Sequence, residues 1–205
     1  MISLEKENDP IVAGEQKFTF LDEVFMPSVE EKNNLLKRIA HRFKEERIEW
    51  ALGGSMMLYF KRIVPSFDDI DLMIFLSDVD HVRNILSEMG ELKPENPKAK
   101  YRTKSFMEFT IEGMDVDVMA GFAIVYEGNV VDCSLEKEQI VEMLPLGTES
   151  IPLQSPLLWR EYYRLMERPN KVEMIDKALE DKSMETKCET VVAPCLPQKE
   201  EAEPS

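Results

Sequence analysis

Asp69 and Asp71 stand one residue apart at the head of an apolar run, Ile70-Asp71-Leu72-Met73-Ile74-Phe75. Side chains alternate across an extended chain, so both carboxylates project from the same face, and two such oxygen donors can share a hard divalent cation. Upstream lies Trp50-Ala51-Leu52-Gly53-Gly54-Ser55, a short apolar run ending in a glycine pair. Met56 to Arg62 follows with helix-forming composition. A glycine pair between a strand and a helix permits a tight bend and lets a ligand approach the backbone amides, which suits a phosphate group. On this reading a bulky residue at Gly54 should cost ligand binding and leave stability nearly unchanged.

A third acid is available further on. Asp117 sits in Met114-Asp115-Val116-Asp117-Val118-Met119, flanked by apolar residues as Asp71 is. A charge inside an apolar strand is costly unless a cation or another partner compensates. Asp115 shares the face of Asp117 and is the alternative. It lies two residues from the Glu112-Gly113 turn, within reach of water, whereas Asp117 lies deeper.

The acid pair is informative only in context. With 40 acidic residues among 205, an acid-x-acid pattern arises by chance roughly eight times. Gly-Gly-Ser, a helix of two to three turns, and Asp-x-Asp on the next strand together resemble the signature of the polymerase-beta-like nucleotidyltransferase superfamily, especially its small bacterial and archaeal members. The resemblance covers residues 48 to 119 well and the remainder loosely. It implies a nucleotidyltransferase fold and a magnesium-dependent transfer of a nucleoside monophosphate from a nucleoside triphosphate, ATP foremost, to an acceptor. Two magnesium ions held by Asp69, Asp71 and Asp117 would neutralise the attacked phosphate, activate the acceptor oxygen and stabilise the pyrophosphate leaving group. Nucleotide contacts would come from Gly53, Gly54 and Ser55, with Arg62 and Ser66 as further candidates. Many relatives carry Thr or Ser two residues before the first metal-binding Asp, where this chain has Phe67, with Ser66 beside it and an extra acid at Asp68. Toxin-like relatives place a Lys in the helix after the sheet, where this chain offers Arg160 and Arg164.

A net charge of −15 argues against a broad duplex nucleic-acid surface, which would need Lys and Arg to neutralise phosphates. A small-molecule or protein hydroxyl is the expected acceptor. A rival reading keeps the fold as a noncatalytic nucleotide-sensing or partner-binding module, such as a toxin–antitoxin component. No run of eighteen apolar residues and no signal-like N-terminus are present, so a cytoplasmic protein without membrane contact is expected. Cys133, Cys188 and Cys195 are odd in number and widely spaced, which suggests free thiols rather than disulfides or a zinc site.

The elements that must position these residues follow from capping and periodicity. An α+β domain with a mixed sheet covered by helices is expected over residues 28–181, after a loose arm at 1–27 and before a disordered acidic tail at 182–205. Ser28 with Glu31 forms a capping box for a helix whose apolar stripe is Leu35, Leu36, Ile39, Ala40 and Phe43, with His41 at its boundary. Strands are expected at 48–52, 71–76, 106–111 and 114–119, with helices at 55–62 and from a Ser77 cap to Gly90. A hairpin follows at 123–131. Ser155-Pro156 starts a helix to about Glu167, and a last helix spans Lys171 to Leu179. Two basic sets remain: Lys98, Lys100, Arg102 and Lys104 alternate along a lead-in piece, and Arg160, Arg164 and Arg168 stack on a helix face. Each set is either a solvated surface or a lining for the cleft.

Overall fold

The computed structural model describes residues 27–189 apart from Pro97, with side chains as far as Asp181. Most of the expected arm, and the tail from residue 190 onward, lie outside the described residues. The rest forms the expected α+β domain.

Helix α1 (Val29–Glu45) begins as its cap dictates: the Glu31 amide donates to Ser28 Oγ at 3.2 Å and the Ser28 amide to Glu31 Oε2 at 2.7 Å. Its stripe of Leu35, Leu36, Ile39 and Phe43 is fully buried. Strand β1 (Trp50–Leu52) is buried along its length and runs into the short helix α2 (Gly54–Phe60). Strand β2 (Ile70–Ile74) returns beside β1. A 3-10 turn at Leu76–Asp78 then precedes helix α3 (Val79–Ser87). That extra turn displaces the expected cap, and Ser77 Oγ faces Asp78 Oδ2 instead of a helical amide.

Strand β3 (Glu91–Leu92) is followed by the long hairpin of β4 (Ser105–Ile111) and β5 (Met114–Ala120). Its turn residues Glu112 and Gly113 both have positive φ, 53° and 75°, the two-residue geometry that matches strand twist. Strands β6 (Ala123–Tyr126) and β7 (Asn129–Asp132) form the separate small hairpin. Three strands were not expected from sequence: the short β3, and β8 (Ile140–Leu146) and β9 (Glu149–Gln154). Pro145 and Pro152 obscure the last two, and Pro145 is tolerated because β8 is an edge strand. Helix α4 (Pro156–Leu165) has the Ser155 cap, and α5 (Pro169–Glu189) runs ten residues past its expected end.

The main sheet has the order β3-β4-β5-β2-β1-β9-β8. The pairs β2/β5 and β1/β9 are parallel and the other four antiparallel, so the sheet is mixed and its central strands are nearly continuous apolar runs. Leu153 of β9 pairs with Leu52 at the centre and is fully buried. Leu153→Ala should lower the unfolding free energy by about 2–5 kcal/mol, as cavity-forming core changes do, read from urea unfolding; a loss under about 0.5 kcal/mol would mean that β9 is not a core strand.

Candidate active site

Register brings the acids together. In the parallel β2/β5 pair Asp71 lies directly opposite Asp117, which puts neighbouring side chains about 5 Å apart on one face. Asp69 sits one residue before β2 begins, on the face of Asp71. Oxygen atoms from Asp69, Asp71 and Asp117 all lie within 4.8 Å of one another. Asp115 is elsewhere: Lys93 Nζ holds its carboxylate at 2.6 Å on the exposed flank. The cluster of convergent oxygens includes Asp117 and not Asp115.

This crowding has an electrostatic cost. Asp71 is held well above the usual carboxylate range, chiefly by burial and then by the charges of Asp69 and Asp117, against the smaller pull of Arg168 and a Ser55 backbone hydrogen bond. Asp117 is pushed up to about 7, again chiefly by burial, then by Asp69, Glu108 and Asp115, with Lys93 opposing. Three convergent carboxylates are the hard-oxygen donor set that Mg²⁺ or Mn²⁺ prefers, and their mutual repulsion is what a bound cation would relieve.

The glycine pair serves this packing. Gly54 has φ +57°, and a Cβ added there would lie 1.7 Å from Asp71 Oδ2. One added at Gly53 would lie 2.2 Å from Cζ2 of Trp159, whose indole N–H donates to the buried Gln154 side chain at 2.9 Å. The expectation that a larger residue at Gly54 spares the fold is therefore overturned: the space belongs to Asp71, and the backbone is left-handed. Ser55 Oγ reaches Asp69 Oδ1 at a long 3.4 Å.

The acids open into a cleft of about 500 Å³. Of the five expected nucleotide contacts only Ser55 lines it; Gly53, Gly54, Arg62 and Ser66 do not. Arg62 and Ser66 are exposed, in the loop after α2, whose seven residues carry the chain about 10 Å from the helix start. The basic sets divide. Lys98 and Lys104 line the cleft, whereas Lys100 pairs with Glu167 and Arg102 donates to the carbonyls of Ala99 and Tyr101. Arg160 is bound to Asp176 and Arg164 to Glu161, leaving Arg168 as the member that faces the cleft, its guanidinium 5.9 Å from the Tyr163 ring centre. Arg83, Lys98, Lys104, Arg168 and Lys171 line the cleft with no ion-pair partner among the described residues.

Sequence reasoning missed Glu108, although the signal was present. Once Glu112-Gly113 is a two-residue turn, antiparallel pairing places Glu108 opposite Asp117. It also missed Arg83, whose place on the cleft depends on how α3 packs.

No family model matches the sequence, and no curated protein matches it. Among solved structures, a protein from Thermotoga maritima classed as a nucleotidyltransferase matches with a TM-score of 0.60 and 22% identity, over 76% of this chain and 96% of that one. ANT(2'')-Ia, solved in complex with adenylyl-2''-tobramycin, matches with a TM-score of 0.52 and 13% identity, over 76% of this chain and 93% of that one. The chain has the nucleotidyltransferase fold of these structures, as the resemblance implied.

Two outcomes follow from the geometry. The native state favours protonated Asp117 between its unfolded value near 3.8 and about 7, so it binds more protons than the unfolded chain there and metal-free stability should fall as pH rises through that window. Asp117→Asn should flatten the profile and raise the metal-free melting temperature at pH 8 by about 2–4 °C, the size of roughly 1 kcal/mol in a chain of this length; a profile identical to wild type would contradict the crowding. Gly54→Val should lower the melting temperature by more than about 5 °C, since left-handed strain and a clash with Asp71 add. An unchanged melt would show that the turn has room to spare.

Proposed function

We propose that this protein is a metal-dependent nucleotidyltransferase that moves a nucleoside monophosphate from a nucleoside triphosphate to a hydroxyl of a small molecule or protein. The observation that carries this reading is the convergence of Asp69, Asp71 and Asp117 within 4.8 Å in a cleft that also gathers Arg83, Lys98, Lys104, Arg168 and Lys171. Acids alone would suit many cations, and bases alone many anions. Together they suit a metal-bound triphosphate.

Asp69, Asp71 and Asp117 would hold the divalent cation, Mg²⁺ being the expected species and two ions the expected number. The chemistry supplied by such a cation is charge neutralisation at the transferring phosphoryl group. Arg168, adjacent to Asp71, and Lys171 beside it would bind phosphate oxygens, and Ser55 would donate its hydroxyl to the same group. Asp117, on β5 where it pairs with β4, is the group that takes the acceptor proton. The acceptor oxygen forms a bond to the α-phosphorus, the bond from that phosphorus to the bridging oxygen breaks, and pyrophosphate leaves. Trp159 and Tyr163 close one wall and exclude water. ATP is the proposed donor, supported by the adenylylated product bound to ANT(2'')-Ia, a protein of the same fold. Among the described residues no helix is long and apolar enough to cross a membrane.

Calorimetric titration with ATP tests the reading. Binding should strengthen at least about tenfold when Mg²⁺ is added, as expected where metal and phosphates share a site. Asp117→Asn should abolish Mg²⁺-dependent pyrophosphate release while Asp115→Asn keeps a measurable rate, because Asp115 is committed to Lys93. Absence of ATP binding with and without Mg²⁺ would leave the noncatalytic module as the better account.

A further inference from the structure

Asp71 and Asp117 are fixed by paired strands, but Asp69 is not. It precedes β2 by one residue, and its single side-chain hydrogen bond among the described residues is the 3.4 Å contact from Ser55 Oγ. Its position depends on the loop from Pro65 to Asp68, and that loop is tied down from below. The Phe67 ring is buried and packs at 5.0 Å from the Tyr59 ring. Beneath it, Lys32 of α1 is 8% exposed, and its ammonium donates to the Phe67 carbonyl at 2.9 Å while lying 4.9 Å from the centre of the Phe67 ring.

A buried lysine costs free energy unless it is paired, and the usual remedy is a carboxylate. Here the partners are a backbone carbonyl and an aromatic face, two groups of one residue, 35 positions away in sequence. A cation over a ring and a charge-assisted bond to its carbonyl restrain both ends of Phe67. A methionine would fill the same volume without that cost, so simple packing does not account for a lysine here. Phe67 is two residues from Asp69, too close for the loop to absorb a shift.

We propose that Lys32 is a positioning residue for the metal site: it clamps the Phe67 backbone and thereby holds Asp69 within reach of Asp71 and Asp117. This rests on the proposed metal-binding role of the three acids, but the clamp itself is a property of the metal-free chain. Lys32 lines no part of the cleft.

Amide hydrogen exchange over residues 66–70 of the full-length, metal-free protein reads the clamp directly, and Mn²⁺ titration reads its consequence. Lys32→Met should speed exchange in that segment about tenfold while leaving β5 and β9 unchanged, the signature of local rather than global opening. It should also weaken Mn²⁺ binding by roughly tenfold, as lost support behind a metal ligand does. Lys32→Arg, which keeps the charge and the donors, should restore both to within about twofold. Exchange at 66–70 equal to wild type in Lys32→Met, or exchange raised equally throughout the domain, would overturn the proposal. Should wild type bind no Mn²⁺, the metal reading falls, and the exchange comparison still decides the clamp.

Discussion

Mutual repulsion among Asp69, Asp71 and Asp117 is the constraint around which the fold is arranged. Oxygens within 4.8 Å of one another on the floor of a cleft would push apart in a flexible chain. Here two of the acids cannot move, because the parallel register of β2 and β5 puts Asp71 opposite Asp117 at the centre of a seven-stranded sheet. The free energy of the apolar strands around them, Leu72, Val116 and Val118 among the fully buried residues, offsets the repulsion. The site is strained electrostatically and rigid mechanically, a combination suited to a cation.

The surrounding elements serve the same end. Gly54 removes the atoms that would collide with Asp71, and Gly53 admits Trp159, through which α4 docks at the head of α2. Docking α4 in turn delivers Arg168 and the start of α5 to the cleft. The expected stacking of all three arginines on one helix face is not kept, because α4 ends at Leu165 and Glu167 is left-handed; Arg160 and Arg164, on α4 itself, are consumed by Asp176 and Glu161. An acidic protein thereby keeps in its cleft a few cations that are unpaired among the described residues, where anionic phosphates would meet them, and its charge of −15 does not oppose a metal-neutralised ligand.

Much of this was legible in the sequence, and the limits have physical causes. Spacing gave Asp69 and Asp71 a common face, because alternation is a local property. Ser28-Glu31 and Ser155-Pro156 marked helix starts for the same reason. What needed the third dimension was harder: β8 and β9 were hidden by Pro145 and Pro152, and the division of the basic residues depended on partners distant in sequence, such as Glu167 for Lys100. Arg62 and Ser66 were placed near the site by proximity in sequence, yet α2 carries them away from it. Gly54 was correctly singled out for the wrong neighbour, a ligand instead of Asp71.

Protons bound by the crowded acids provide the most direct test of the central claim that these three carboxylates form one metal site. Mn²⁺ titration calorimetry near pH 6, repeated in two buffers of different ionisation enthalpy, counts protons released on binding. If Asp71 and Asp117 share a cation, binding near pH 6 should release the proton that Asp117, pushed up to about 7, still holds there, and that release should shrink by pH 8, because ligands must be deprotonated before they coordinate; Asp71→Asn should remove the high-affinity event. Binding without proton release, or an Asp71→Asn variant that binds Mn²⁺ as wild type does, would contradict the account.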